Sequence, residues 1–202
     1  MTLRSTIAAC TVLIGAPAIA HAADLPVEPR ALVILRSQMP GFVKAKTNLE
    51  LALTPGQWVN DVLEDTPANG EEEESRLIVE GFREGVREVL TLRDALGFSG
   101  ALLLGSPEAA QKESADKASE ELAELGRGAT RFPVPAVPNA FGVQQTHIKH
   151  SSTRGLYSVS VVFSRGACMA GIGALMRSYG SARRAAMTGA LALEHRLGKV
   201  CP

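Results

Sequence analysis

Residues 156–176 read LYSVSVVFSRGACMAGIGALM, and the fold turns on whether this stretch is one membrane-spanning helix or two strands. Its length and its single charge, Arg165, satisfy the hydrophobic span of a bilayer helix. Its alternation does not. Tyr157, Val159, Val161 and Phe163 recur at period two while Ser158, Ser160 and Ser164 fill the other face, with Val162 the one exception. That is the pattern of a half-buried strand rich in β-branched and aromatic residues. Arg165-Gly166-Ala167 permits a turn, and Cys168, Ala170, Ile172, Ala174 and Met176 then alternate with Met169, Gly171, Gly173 and Leu175. A second strand follows, so the mature chain is expected to carry no transmembrane segment.

Working outward, residues 181–197 read as a helix that returns over this hairpin, carrying a stripe of small residues at Ala182, Ala186, Gly189 and Ala190 and then Leu193. A strand of about ten residues covers ~33 Å, and a helix of about 17 residues covers ~26 Å on the way back. Cys201 should therefore end near Cys168. A Cys168–Cys201 disulfide is predicted, with two unpaired buried thiols as the alternative. His195, Arg196 and Lys199 suit the carboxyl end of that helix.

The start of the chain reads as an address. Arg4 is followed by a mostly apolar run from Ile7 to Ile19 and by Ala20-His21-Ala22, a small-x-small cleavage pattern. Residues 1–22 are expected to be a signal peptide and residues 23–30 an N-terminal extension. The competing reading makes Ile7-Ala8-Ala9-Cys10 a lipoprotein box, although few residues precede that cysteine. Residues 31–202 then form a single domain, secreted or otherwise extracytoplasmic.

Charge and aromatic content narrow the partners. Basic and acidic residues balance at 21 each, with no basic block, so nucleic acid is not an expected partner. Six Phe, two Tyr and one Trp offer few stacking platforms for single strands.

The remaining elements follow from punctuation. Residues 31–36 (ALVILR) read as a short strand, Met39-Pro40-Gly41-Phe42 as a turn, and Leu49, Leu51 and Leu53 as a strand. Thr54-Pro55-Gly56 opens a short helix through Val62 or Leu63, and residues 66–70 (TPANG) read as a loop. Glu71–Glu74 read as the solvated first turn of a helix ended or bent at Gly81-Phe82. Val86–Leu92 and Gly100–Leu104 make a hairpin around Asp94–Gly97. Ser106-Pro107-Glu108 starts a helix to about Leu125, with Ala110, Ala118, Leu122 and Leu125 inward. Residues 126–140, with three prolines and two glycines, read as irregular. A strand at Val143–Lys149 precedes the hairpin. The sum is an α+β domain, a mainly antiparallel sheet covered by helices in a sandwich-like arrangement.

Catalytic patterns are weak. Ser114-Ala115-Asp116-Lys117 matches SxxK but lies in a charged helix read as exposed, without SDN or KTG partners. Gly97-Phe98-Ser99-Gly100 approaches a nucleophile elbow and lacks its last glycine. His147 and His150 point to opposite faces if they lie on a strand. Asp61, Glu64 and Asp65 share a helix without a partner position. No catalytic residue, metal ligand or cofactor is assigned.

Met39-Pro40-Gly41-Phe42, Gly81-Phe82 with Gly85, the Ala-rich helix after a short strand, and the late strand ending Arg165-Gly166 together resemble secreted and lipoprotein domains common in actinobacterial envelopes. Those domains are similar in layout to PsbP/Mog1-like α/β sandwiches. The resemblance spans about residues 31–198 and implies an extracytoplasmic domain with no catalytic residues to carry over. The chain departs from the lipoprotein members in having no cysteine well placed for acylation.

The functional expectation is a secreted binding or interaction module of the bacterial cell envelope, whose partner is an envelope component or another exported protein. The alternative is an exported hydrolase whose residues meet only in the fold. The expected binding loop lies in the Pro-rich stretch, with Arg131, Phe132, Pro133, Pro135 and Phe141 its candidate residues, against the alternative of a plain connector.

Overall fold

The computed structural model describes residues 27–63, 67–145 and 155–201, with only the backbone at 67–69. The leader, Cys10, Glu64, Asp65, His147 and His150 lie outside the described residues. Seven strands, β1 (Lys46–Ala52), β2 (Glu84–Leu92), β3 (Ala95–Leu103), β4 (Ala129–Pro133), β5 (Phe141–Gln145), β6 (Tyr157–Arg165) and β7 (Cys168–Met176), form one sheet. Their order is β1-β2-β3-β7-β6-β5-β4, with every neighbouring pair antiparallel. The helices are α1 (Pro55–Gln57), which continues as a π-helical stretch over Trp58–Leu63, α2 (Pro67–Val79), α3 (Pro107–Leu125) and α4 (Tyr179–Leu197). This is the expected α+β domain. No helix among the described residues is long and apolar enough to cross a membrane.

The β6–β7 hairpin lies inside the sheet, paired from Tyr157↔Met176 to Arg165↔Cys168. Gly166, at φ +52°, is the first of its two turn residues, where a left-handed backbone suits a tight hairpin. Val159, Val161 and Phe163 of β6 and Cys168, Ala170, Ile172 and Ala174 of β7 join one core with Ala182, Ala186, Ala190 and Leu193 of α4. The helix lies close because its stripe is small. A Cβ added at Gly189 would sit 3.1 Å from Ile172 Cγ2 and 3.3 Å from Ile34 Cδ1.

The serine face differs from the expectation of a half-buried strand. Ser158, Ser160 and Ser164 are 7%, 1% and 6% exposed, because α3 packs across that side of the sheet. The strand is covered on both faces. Ser160 remains compatible with burial because its hydroxyl donates to Val143 O at 3.5 Å. On the same side, Leu102, Val143, Val162 and Met169 meet Trp58, Val59, Val62, Leu77, Ala110 and Ala118 in a second core. The sheet is thus the middle layer of three.

Cys168 and Cys201 form a disulfide with Cα atoms 5.8 Å apart. Next to it, Arg165 pairs with Glu194 at 3.4 Å. The end of α4 is fastened to the β6–β7 turn by a covalent and an ionic link.

Several boundaries are corrected. Residues 31–36 are not a strand: β1 holds the sheet edge beside β2, and the segment folds into 3-10 turns at Pro29–Leu32 and Arg36–Gln38. Leu32, Val33 and Ile34 are still buried, and the Ile34 N–H donates to Ser99 Oγ at 2.9 Å. Residues 67–70 belong to α2 rather than to a loop, with proline at its first position. The helix ends at Gly81, φ +72°, where Phe82 N–H donates to Leu77 O and Gly81 N–H to Ile78 O, the two bonds of a Schellman motif. β3 starts at Ala95, leaving Arg93-Asp94 as the turn. Residues 129–133 form β4 on the outer edge, where Pro133 costs no ladder bond on the free side.

Candidate binding surface

Strand period sorts the Pro-rich segment into an inner and an outer set. Phe132, Val134 and Val137 are buried, and Arg131, Pro133 and Pro135 are exposed. Phe132 lies against Gly142 across the β4–β5 pair, where an added Cβ would come within 2.6 Å of the ring. The Arg183 guanidinium stands 4.6 Å from the Phe132 ring centroid. Arg183 also donates to the Tyr179 hydroxyl at 2.8 Å, and that hydroxyl donates to the Gln144 side chain. On the other face, Arg131 lies 5.8 Å from the Phe141 ring centroid and donates to Ser119 Oγ at 2.8 Å. The structure brings Arg131 and Phe141 together and sends Phe132 into the core. What remains presentable is a rigid sheet edge bearing one guanidinium, two prolines and half-buried Phe141.

A charged seam between α2 and α3 escaped the sequence reading. Arg76 lies 2.9 Å from Glu113, 2.6 Å from Glu120 and 3.8 Å from Glu73. Lys117 reaches Glu73 at 2.5 Å and Glu120 at 3.1 Å, and Lys112 reaches Glu80 at 2.7 Å and Asp116 at 3.0 Å. The run Glu71–Glu74 is therefore not wholly solvated, since Glu73 is 6% exposed. The signal was present as two stripes at helical spacing, Glu73/Arg76/Glu80 and Glu113/Lys117/Glu120. Only the pairing of the two helices makes them one network.

Within the seam the Glu113 carboxyl is fully buried and lies beside that of Glu80. Burial first, and the neighbouring Glu80 charge with it, push Glu113 up to about 7 against the pull of Arg76 and Lys117. Glu80, Glu113 and Asp116 set carboxylate oxygens within 4.8 Å of one another, but the Lys112 ammonium already bridges Glu80 and Asp116. The seam supplies its own cation. Burial likewise pushes Glu121 up to about 7, with the Ser160 hydroxyl opposing.

The remaining candidates scatter. Ser114 is buried and donates to Gln111 O, while Lys117 is engaged with Glu73 and Glu120, so the SxxK pair is neither exposed nor mutually bonded. Ser99 is fully buried in β3 as an acceptor for Ile34. Asp61 and His195 are exposed, and Cys168 is committed to its disulfide.

No protein-family model matches the sequence, and no curated protein matches it. The fold is similar to that of the extracellular domain of PknH from Mycobacterium tuberculosis, with a TM-score of 0.54 and 9% identity over 87% of this chain and 99% of that one. At that identity the likeness is one of fold: the chain shares an antiparallel-sheet architecture with an extracellular domain of a mycobacterial protein.

Proposed function

We propose that this chain is an exported binding module working outside the cytoplasm, and that the Pro-rich edge from Arg131 to Phe141 is its contact surface. The observation that carries the reading is the Cys168–Cys201 disulfide, since such bonds persist in oxidising compartments and are rare in the cytosol. The leader-like residues 1–22 and the fold shared with an extracellular domain support the same location. The contact surface is favoured by its build: a rigid edge held by Phe132, Val134 and Val137 offers Arg131, Pro133 and Pro135 without an ordering cost on binding.

The test is a reporter fusion. Residues 1–40 joined to an alkaline phosphatase lacking its own leader, an enzyme that becomes active only where its disulfides form, should give active reporter. An inactive reporter made in normal amounts would end the reading.

A further inference from the structure

The two edges of the sheet are built differently. β4 is five residues long and ends in Pro133, a combination that blunts an edge against foreign strands. β1 runs for seven residues, Lys46–Ala52, without a proline, and pairs with β2 in unbroken register. Lys46, Thr47, Asn48 and Leu51 are exposed along it. A long regular edge of that kind is a template for one more strand.

The backbone groups left to pair follow from the turn geometry. Arg93-Asp94 is a two-residue turn, so its flanking pair Leu92↔Ala95 exchanges both hydrogen bonds. From there the alternation of an antiparallel ladder points even-numbered β2 residues at β3 and odd-numbered ones at β1. Through the pairs Thr91↔Lys46, Val89↔Asn48 and Arg87↔Glu50, the even-numbered residues of β1 bond to β2. Thr47, Leu49 and Leu51 therefore aim their N–H and C=O groups at the open side.

Charge and apolar exposure pick the occupant. A second β1 laid antiparallel about Asn48 sets Lys46 of each copy opposite Glu50 of the other, and Thr47 opposite Leu49. Lys46 makes no ion pair among the described residues. Glu50 accepts from Arg87 at 2.7 Å and from Asn48 at 2.8 Å, which leaves its carboxylate lone pairs to spare. Symmetry makes each opposite-charge pair occur twice. The same register runs Ala45 against Leu51 and brings Val43, 57% exposed, alongside Leu53, 63% exposed, at both ends. A shift of two residues would set Lys46 against fully buried Ala52 and undo both charge pairs.

We propose that β1 pairs antiparallel with β1 of a second copy of this chain, joining two seven-stranded sheets into one across a two-fold axis beside Asn48. The inference goes beyond the binding-module reading and does not depend on it. The dimer leaves the two β4 edges at opposite ends of the joint sheet, free for the contact proposed there.

The experiment is sedimentation velocity of the mature chain from ~1 μM to ~1 mM, with backbone amide exchange followed at both ends of that range. The mass should rise from one chain toward two. The amides of Thr47 and Leu49 should gain protection at high concentration, while those of Asn48 and Glu50, already bonded to β2, stay as they were. Thr47→Pro removes an outward N–H and no bond to β2, so it should keep the fold and weaken association about tenfold or more. Lys46→Glu sets like charges opposite each other twice and should weaken association about tenfold at low salt. Unchanged amide protection in α3 and β7 reports that a variant is folded. The proposal is overturned if the chain stays single up to ~1 mM, which would leave the edge to a strand from another protein. It is overturned equally if a dimer forms without protecting Thr47 and Leu49, or if either folded variant associates like the parent.

Discussion

Cys201 is bonded to Cys168 at the start of β7, so the chain beyond α4 closes back on the strand that begins the final strand-helix unit. The link spans a sequence separation of 33 residues. Chain-entropy reasoning gives such a loop about 3 to 4 kcal/mol. A Cys168→Ala/Cys201→Ala variant should lose about that much in urea unfolding, and reductant should destabilise the native protein similarly while leaving the variant unchanged. Equal stability with and without reductant would show that the bond fastens nothing.

The close seat of α4 depends on Gly189. Any side chain there meets Ile172 and Ile34. Gly189→Leu should lower stability by about 2 kcal/mol or more through overpacking, whereas Leu191→Ala, on the exposed side of the helix, should cost under about 1 kcal/mol. Thermal unfolding of the two variants checks the contrast.

Ser99 has a structural task that its elbow-like sequence context conceals. It accepts the buried Ile34 N–H and ties the N-terminal segment to the sheet. Ser99→Ala leaves that donor unpaired, at a cost of about 1 to 3 kcal/mol. Hydrogen exchange should show the Ile34 amide opening faster in the variant while the amides of α3 keep their protection.

In the α2–α3 seam, Arg76→Ala strips Glu113 and Glu120 of their guanidinium and should cost about 3 to 5 kcal/mol. Titration provides a second check. The Glu113 pKa is raised in the fold from 4.5 to about 7, so its stabilising contribution is complete below about pH 4.5 and is lost as pH rises through about 7. At most about 3 kcal/mol disappears across that window. Glu113→Gln imitates the protonated side chain, so urea midpoints should fall less between pH 5 and pH 8 in the variant than in the parent. A parallel pH profile would contradict the raised Glu113 pKa.

These contacts mark how far the sequence could be read. The β6–β7 hairpin was legible because its period of two, broken only at Val162, runs over both strands, and α3 because Ser106 and Pro107 announce its start. The disulfide followed from strand and helix lengths. The strand expected at 31–36 failed because an apolar run states only that it is buried, and pairing with β2 went to β1. The serine face failed because the crossing of α3 is a tertiary fact that β6 does not encode. For the candidate site, the Pro-rich segment was legible as unusual in composition, but its alternation about Phe132 was masked by the prolines.

The most direct measurement is the intact mass of the protein recovered from outside the cytoplasm, treated with an alkylating reagent before and after reduction. The account predicts a chain shortened by residues 1–22 that takes up no alkyl group until reduced and two afterwards. A product that keeps its leader, or one alkylated at both Cys168 and Cys201 without reductant, would contradict it.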